Sequence, residues 1–145
     1  MNVVVDASVA VKWYVPEDFS EDAIFLLKLF RDKQIKIYAP ITMKAEFANA
    51  IRKYVIRKII SKEIAEEIFS EIKSIPINYC NITWKIITDA FEYAFKKNIT
   101  VYDAIYVILA KNLSAKFITA DKRLYSAISK EPEVLFIADV KTKIM

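Results

Sequence analysis

Four acidic side chains in this sequence are spaced so that, folded together, they define one kind of chemistry. Asp6 ends the apolar run Val3-Val4-Val5, and Glu46 lies within Met43-Lys44-Ala45-Glu46-Phe47-Ala48-Asn49. Asp103 opens the apolar stretch Tyr102-Asp103-Ala104-Ile105-Tyr106, and Asp121 closes the run Phe117-Ile118-Thr119-Ala120. In a mainly parallel sheet, side chains at the carboxyl ends of the strands meet along one edge. Carboxylates gathered there make a hard, oxygen-only site suited to Mg²⁺ or Mn²⁺. The reaction class that such a set implies is metal-dependent phosphodiester chemistry.

Each acid also has a purely local explanation. Asp6 and Asp121 can cap the helices that follow them. Asp103 can be the acidic partner of Thr100 in a capping box, and Glu46 can be a solvated charge on a long helix. Joint placement tips the balance, since two acids lie just past buried strands and a third lies in the first turn of a buried helix. Each close carboxylate pair costs about 4 kcal/mol at a 4 Å separation with an effective dielectric near 20. A divalent cation relieves that repulsion, or else some of the acids are protonated.

Composition removes several alternatives. The chain has 145 residues and no histidine, which excludes a Ser-His-Asp triad, a histidine base and a histidine-type zinc site. It has no glycine, which excludes a Walker A loop and a GxGxxG fingerprint. The net charge of +4 and a pI near 9.0 suit a polyanionic partner, though weakly. The lone cysteine, Cys80, cannot form an intramolecular disulfide and reads as a small buried hydrophobe in a reducing compartment. Asp6 interrupts the apolar start and no basic segment precedes it, so no signal peptide is expected. No run of about 18 apolar residues is present, so no membrane span is expected and the cytoplasm is the expected location. Abundant Ile and Lys with a single Gln hint at a heat-adapted source.

The elements that must position the acids follow from periodicity. Val3–Val5, Ile35–Tyr38, Ile77–Tyr79, Phe117–Thr119 and Val134–Ile137 read as strands or extended pieces. Helices are expected over Ser8–Tyr14, Glu21–Arg31, Ile41–Lys58, Lys62–Ile72, Trp84–Lys97, Val101–Leu113 and Lys122–Ser129. Ser61, Thr83 and Thr100 stand as N-caps. Without glycine, Asn98 and Asn112 are the expected left-handed residues at helix ends. Strands alternating with helices argue for an α/β layer fold with a mainly parallel sheet, in one domain spanning residues 1–145.

The ordered set Val3-Val4-Val5-Asp6-Ala7-Ser8-Val9, Ala45-Glu46-Phe47-Ala48-Asn49, Tyr102-Asp103-Ala104 and Thr119-Ala120-Asp121-Lys122-Arg123-Leu124 resembles the successive motifs of the PIN-domain nucleases. More narrowly it resembles the VapC-type toxins of toxin–antitoxin pairs. The resemblance runs over essentially the whole chain. It implies a three-layer α/β/α fold and an acidic site of Asp6, Glu46, Asp103 and Asp121 holding one or two Mg²⁺ or Mn²⁺ ions. It further implies Ser8 and Thr119 as nearby hydroxyls, and RNA as the substrate, cut to leave a 5′-phosphate and a 3′-hydroxyl. A small antitoxin and a second copy of the chain are the partners it implies. Asn49, one helical turn from Glu46, is expected on the same side of its helix.

Lys12, Lys44, Lys122 and Arg123 flank the acidic motifs and are candidates for RNA phosphates. Trp13, Tyr14 and Phe19, with those of Tyr54, Val55, Ile56, Ile59, Ile60, Ile64 and Ile68 not used in the core, are candidates for an apolar partner patch. Other classes fit less well. A haloacid-dehalogenase-like phosphatase needs a second Asp where Ser8 stands, and a receiver domain needs its acceptor Asp after a central strand and a lysine after a later one. The remaining rival is a catalytically silent version of the same fold that binds RNA or protein.

Overall fold

The computed structural model describes residues 1–144. Its centre is a five-stranded, wholly parallel sheet in the order β3-β2-β1-β4-β5. The strands are β1 (Asn2–Val5), β2 (Lys36–Pro40), β3 (Asn78–Cys80), β4 (Lys116–Thr119) and β5 (Val134–Phe136). β1 and β4 are buried along almost their whole length, as apolar strands covered by helices on both faces must be. The helices are α1 (Ala7–Val11), α2 (Ser20–Arg31), α3 (Met43–Ile56), α4 (Lys62–Ser74), α5 (Trp84–Lys97), α6 (Val101–Leu113), α7 (Lys122–Ile128) and α8 (Val140–Lys143), with a 3₁₀ turn at Ile137–Asp139. The architecture is the expected three-layer α/β/α fold. Among the described residues no helix is long and apolar enough to cross a membrane.

The chain runs from β1 outward through β2 to β3, then returns past β1 to β4 and β5. Adjacent strands β1 and β4 are therefore left in opposite directions, which opens a crevice at their carboxyl ends. Their register pairs Val5 with Ile118, so Asp6 and Thr119 come to the same edge.

Helix ends are closed without glycine. Lys33, Lys58, Asn98 and Ser114 adopt left-handed backbone angles with φ of 59°, 60°, 55° and 51° just after α2, α3, α5 and α6. At Lys58 the paired bonds Lys58 N–H to Val55 C=O and Ile59 N–H to Tyr54 C=O form a Schellman closure. The expected Asn98 stop is present. The expected Asn112 stop is not: Asn112 stays helical and Ser114 takes the left-handed turn, because the helix continues two residues further to Leu113. The final helix α8 and the 3₁₀ turn before it were not expected, being too short to show a period. Cys80 is half-buried at the end of β3, and burial raises its thiol pKa.

The core is one large cluster around the sheet, with a smaller one between α5 and α6 built from Ala90, Ala94, Ala104, Ile105 and Ile108. α6 carries seven consecutive buried residues from Ala104 to Ala110, which makes it the central helix of its layer.

Candidate active site

Asp6 sits in the crevice between β1 and β4, and both of its carboxylate oxygens accept hydrogen bonds. Its Oδ1 caps α1 by accepting from the Val9 N–H at 3.2 Å and also accepts from the Ser8 hydroxyl at 2.5 Å. Its Oδ2 accepts from the Thr119 hydroxyl at 2.6 Å. Both hydroxyls also accept from backbone N–H groups at the end of β4. Ser8 Oγ accepts from the Ala120 N–H at 3.0 Å, and Thr119 Oγ1 accepts from the Asp121 N–H at 3.1 Å. The two hydroxyls thus lace the ends of β1 and β4 together around one carboxylate.

The other acids approach from three elements. Asp121 caps α7 by accepting from the Leu124 N–H at 3.0 Å. Asp103 stands in the first turn of α6, where its own N–H donates to the Thr100 hydroxyl at 3.1 Å. Glu46 stands in the first turn of α3, and its Oε2 accepts from the Tyr106 hydroxyl at 3.2 Å. Its other oxygen, Oε1, is buried with no hydrogen-bond partner. Tyr106 was not singled out from the sequence. It lies three residues after Asp103 on the same helix, a spacing that was available as a signal. Its ring is fully buried and stacked on Phe117, with centroids 5.4 Å apart and an interplanar angle of 19°.

The electrostatics tie the four acids together in pairs. Burial raises the Asp6 pKa to about 6, against the lowering effect of its three hydrogen bonds, and the charge on Asp103 adds to the rise. Burial raises Glu46 to about 7, opposed by the Tyr106 hydroxyl and reinforced by Asp6 and Asp103. Burial also raises Asp103, with a further push from Asp121. Tyr106 is raised far beyond its ordinary value by burial and by Glu46, so it remains a phenol donor. Asp103 and Asp121 line a cavity of ≈460 Å³ together with Asn98, Thr100 and Arg123.

The four acids share one neighbourhood, but they do not form a ready-made cage. Among the described residues, no three His, Cys, Asp or Glu side chains are grouped closely enough to hold a metal ion between them. Asp6 already accepts three hydrogen bonds, from Ser8, Val9 and Thr119, and Asp121 caps its own helix. The donor set nevertheless fits a hard divalent cation. Every candidate ligand is oxygen, Glu46 Oε1 is unpartnered, and Mg²⁺ characteristically takes only one or two carboxylates with the rest water.

The remaining candidates separate. Ser8 and Thr119 lie where expected. Asn49 is exposed on α3. Lys12 is nearly buried and its Nζ pairs with Glu17 Oε1 at 2.8 Å, while the Tyr54 hydroxyl also donates to Glu17. That pairing removes Lys12 from the free cations, because its charge is already matched. Lys44 Nζ lies over the Tyr79 ring at 4.6 Å, and Lys122 Nζ over the Phe19 ring at 5.6 Å. Arg123 alone of the four lines the cavity of Asp103 and Asp121.

The expected apolar patch is only partly present. Trp13 is buried and its indole N–H donates to the Ala23 carbonyl at 2.9 Å, so it belongs to the core. Ile68 is also core, and Tyr14 and Phe19 pack edge-on against Phe47 and Phe136. Ile56, Ile59 and Ile64 are exposed. Between α3 and α4 lie two cavities of ≈310 and ≈240 Å³ that share Phe69.

Known proteins place this arrangement. A family model described as PIN domain matches residues 3–130. Ribonuclease VapC3 of Pyrobaculum aerophilum is 30% identical over 124 residues, spanning 86% of this chain and 92% of that protein. The crystal structure of PAE2754 from Pyrobaculum aerophilum shares the fold with a TM-score of 0.68 at 16% identity, covering 97% of this chain and 95% of that one. A toxin-antitoxin complex from Klebsiella pneumoniae aligns with a TM-score of 0.64 at 14% identity, covering 93% of this chain and 97% of that one.

Proposed function

The chain belongs to the PIN domain family, alongside the VapC ribonucleases, and from that membership we propose that it is a divalent-cation-dependent endoribonuclease acting as the toxin of a toxin–antitoxin pair. The observation that carries the proposal is the under-compensated carboxylate cluster at the switch point of a parallel sheet. Asp6, Glu46 and Asp103 all have raised pKa values, and no basic side chain is bonded to any of them among the described residues.

In this reading Asp6, Glu46, Asp103 and Asp121 hold one or two Mg²⁺ or Mn²⁺ ions. A bound ion supplies a water of lowered pKa as nucleophile and neutralises charge on the phosphoryl oxygens. Ser8 and Thr119 fix the Asp6 carboxylate by donating to one oxygen each. Tyr106 fixes one Glu46 oxygen by donating to Oε2, which leaves Oε1 unpartnered. Arg123, and more remotely Lys122 and Lys44, offer positive charge to the phosphates of the RNA. The catalytically silent alternative is not favoured, because all four acids are present and three of them share the electrostatics of one site.

Two protein partners belong to the same proposal. The paired cavities between α3 and α4 are apolar within and carry Lys44, Lys73, Arg52 and Lys62 on their linings. An acidic, amphipathic segment of an antitoxin matches that groove in shape and charge. The chain also associates with a second copy of itself, and it acts in the cytoplasm as one domain.

The test is incubation of the purified chain with mixed cellular RNA, with Mg²⁺ or Mn²⁺ and with EDTA, followed by mapping of the cut ends. The expected result is discrete cuts with 5′-phosphate and 3′-hydroxyl ends, lost in EDTA and in Asp6→Asn. Cutting that survives both would overturn the proposal.

A further inference from the structure

Three buried side-chain oxygens among the described residues have no hydrogen-bond partner within the protein: Thr42 Oγ1, Glu46 Oε1 and Glu133 Oε2. Glu133 precedes β5, and its other oxygen is matched by Lys111 at 3.2 Å. Thr42 and Glu46 instead lie together, just past the carboxyl end of β2 and four residues apart at the start of α3. The Glu46 N–H donates to the Thr42 carbonyl at 3.2 Å, so the two residues are joined by a helical turn. Side chains at i and i+4 share a helix face, with Cβ atoms about 5–6 Å apart. Each Cβ also tilts toward the helix N-terminus, so the Glu46 side chain leans back over the turn that Thr42 begins.

Ser61, Thr83 and Thr100 show what a hydroxyl at the head of a helix ordinarily does. Each has an extended backbone, with ψ of 163°, 163° and 157°, and accepts from the N–H three residues on at 3.1, 3.2 and 3.1 Å. Thr42 stands at the same position with a helical backbone, ψ −21°, and makes no such bond. The other local outlet for a helical threonine is the carbonyl four residues back. For Thr42 that residue is Tyr38, inside β2, and the bond is not made. A buried hydroxyl left unpaired costs stability, and valine offers the same shape without that cost. Threonine here is therefore a choice that the fold alone does not require.

Glu46 supplies the context for that choice. Its Oε2 is held by the Tyr106 hydroxyl, and the charges of Asp6 and Asp103 act on its carboxylate. Mg²⁺ keeps several waters when it binds to protein carboxylates. Each such water gives a lone pair to the cation and has two O–H groups left to donate. Two unpartnered acceptors on one helix face match those two donors. We propose that Thr42 is a positioning residue of the cation site, its Oγ1 and Glu46 Oε1 together accepting from one water of the cation's hydration shell. Thr42 touches neither the cation nor the RNA. It acts through that water, as partners beyond the ligands do in metal centres generally.

The inference rests on the cation site proposed above and adds to it a residue outside the four acids. The experiment is isothermal titration of the full chain with Mn²⁺, for the wild type, Thr42→Val and Thr42→Ser, with thermal unfolding of each in EDTA. Thr42→Val is expected to melt in EDTA at or above the wild-type temperature, because the unpaired hydroxyl is gone, and to bind Mn²⁺ about 10-fold more weakly. Thr42→Ser keeps the oxygen and is expected to bind with close to wild-type affinity. Wild-type affinity in Thr42→Val would overturn the role of Thr42 and leave the cation site standing. Equal losses in the two variants, or a loss in Thr42→Val together with a lowered melting temperature in EDTA, would trace the effect to packing and overturn that role as well. A wild-type chain that gives no heat with Mn²⁺ would overturn the cation site and the role of Thr42 together.

Discussion

Two acid clusters in this molecule sit in similar surroundings and behave in opposite ways. At the β1/β4 crevice, Asp6, Glu46 and Asp103 are pushed to higher pKa values, and their bonded partners are hydroxyls and backbone N–H groups. Near the start of β5, Glu131 is held below its ordinary value although burial pulls it the other way. There Lys111 Nζ lies 3.2 Å from both Glu131 and Glu133, Lys97 lies 3.7 Å from Glu131, and the Tyr93 hydroxyl donates to Glu131 at 3.0 Å. Each cluster has one carboxylate oxygen buried without a partner, Glu46 Oε1 and Glu133 Oε2, so an orphan atom does not separate them. What separates them is protein cations. The second cluster is matched by Lys111 and Lys97 from within the protein, whereas no basic side chain is bonded to the first, which is the feature on which the proposed cation site rests.

The largest expected effects break that contrast at the crevice. Asp103→Asn should reduce RNA cleavage by more than about 100-fold, beyond the range seen for residues that only support a ligand. The heat of Mn²⁺ binding in isothermal titration should vanish with it, while the circular dichroism spectrum stays that of the wild type. Tyr106→Phe is the finer probe. It keeps the ring on Phe117 and removes only the hydroxyl that orients Glu46, so Mn²⁺ affinity should fall by about 10–100-fold. Unchanged affinity would mean that Glu46 is positioned by its helix alone.

The two clusters also predict opposite pH responses. Asp6 and Glu46 have folded pKa values above their ordinary ones, so the folded chain binds more protons than the unfolded chain. The destabilisation is complete above about pH 7 and absent below about pH 4. In EDTA, thermal stability should therefore rise as pH falls from 8 to 5. Glu131 has the reverse sign: its folded pKa is lowered, its contribution is present above the ordinary glutamate value, and it is lost as pH falls through the folded value. Stability should pass through a maximum near pH 5 and decline below it. Saturating Mg²⁺ should flatten the limb between pH 8 and 5 and leave the acid decline in place. A melting temperature that falls steadily from pH 8 to 5 would remove the raised pKa values from the account.

Much of this contrast was legible in the sequence, and the illegible part has a physical reason. Strand ends are marked by where apolar runs stop, so Asp6 and Asp121 announced themselves, as did Asp103 behind the Thr100 cap. Caps are local and were read correctly at Ser61, Thr83 and Thr100, each accepting from an N–H three residues on. Pairing across the fold is not local. Lys12 and Glu17 are five residues apart with a chain turn between them, and Lys12 looked free. Tyr106 and Glu46 are sixty residues apart, and nothing in either segment names the other. The positions of Asp6 and Asp121 beside strand ends were therefore predictable, but the lack of a three-carboxylate cage among the described residues was not, since spacing between side chains of distant segments is set by tertiary packing.

The smallest expected effect tests the neutralised cluster. Lys111→Met removes the cation shared by Glu131 and Glu133, both of which are partly shielded from solvent. Exposed pairs contribute about 0.2–1 kcal/mol each, and Lys111 is about one-third exposed, so a total cost near 1 kcal/mol is expected in urea unfolding. Lys97 remains to answer Glu131, which limits the loss. A double-mutant cycle with Glu131→Gln isolates the Lys111–Glu131 pair, and its coupling should shrink at high salt because part of it is open to screening. RNA cleavage should be unchanged in every member of the cycle, since this cluster is matched within the protein and has no charge left for a cation or a phosphate. If cleavage fell while stability held, the two clusters would not differ in kind, and the unmatched charge at the crevice would no longer mark the site.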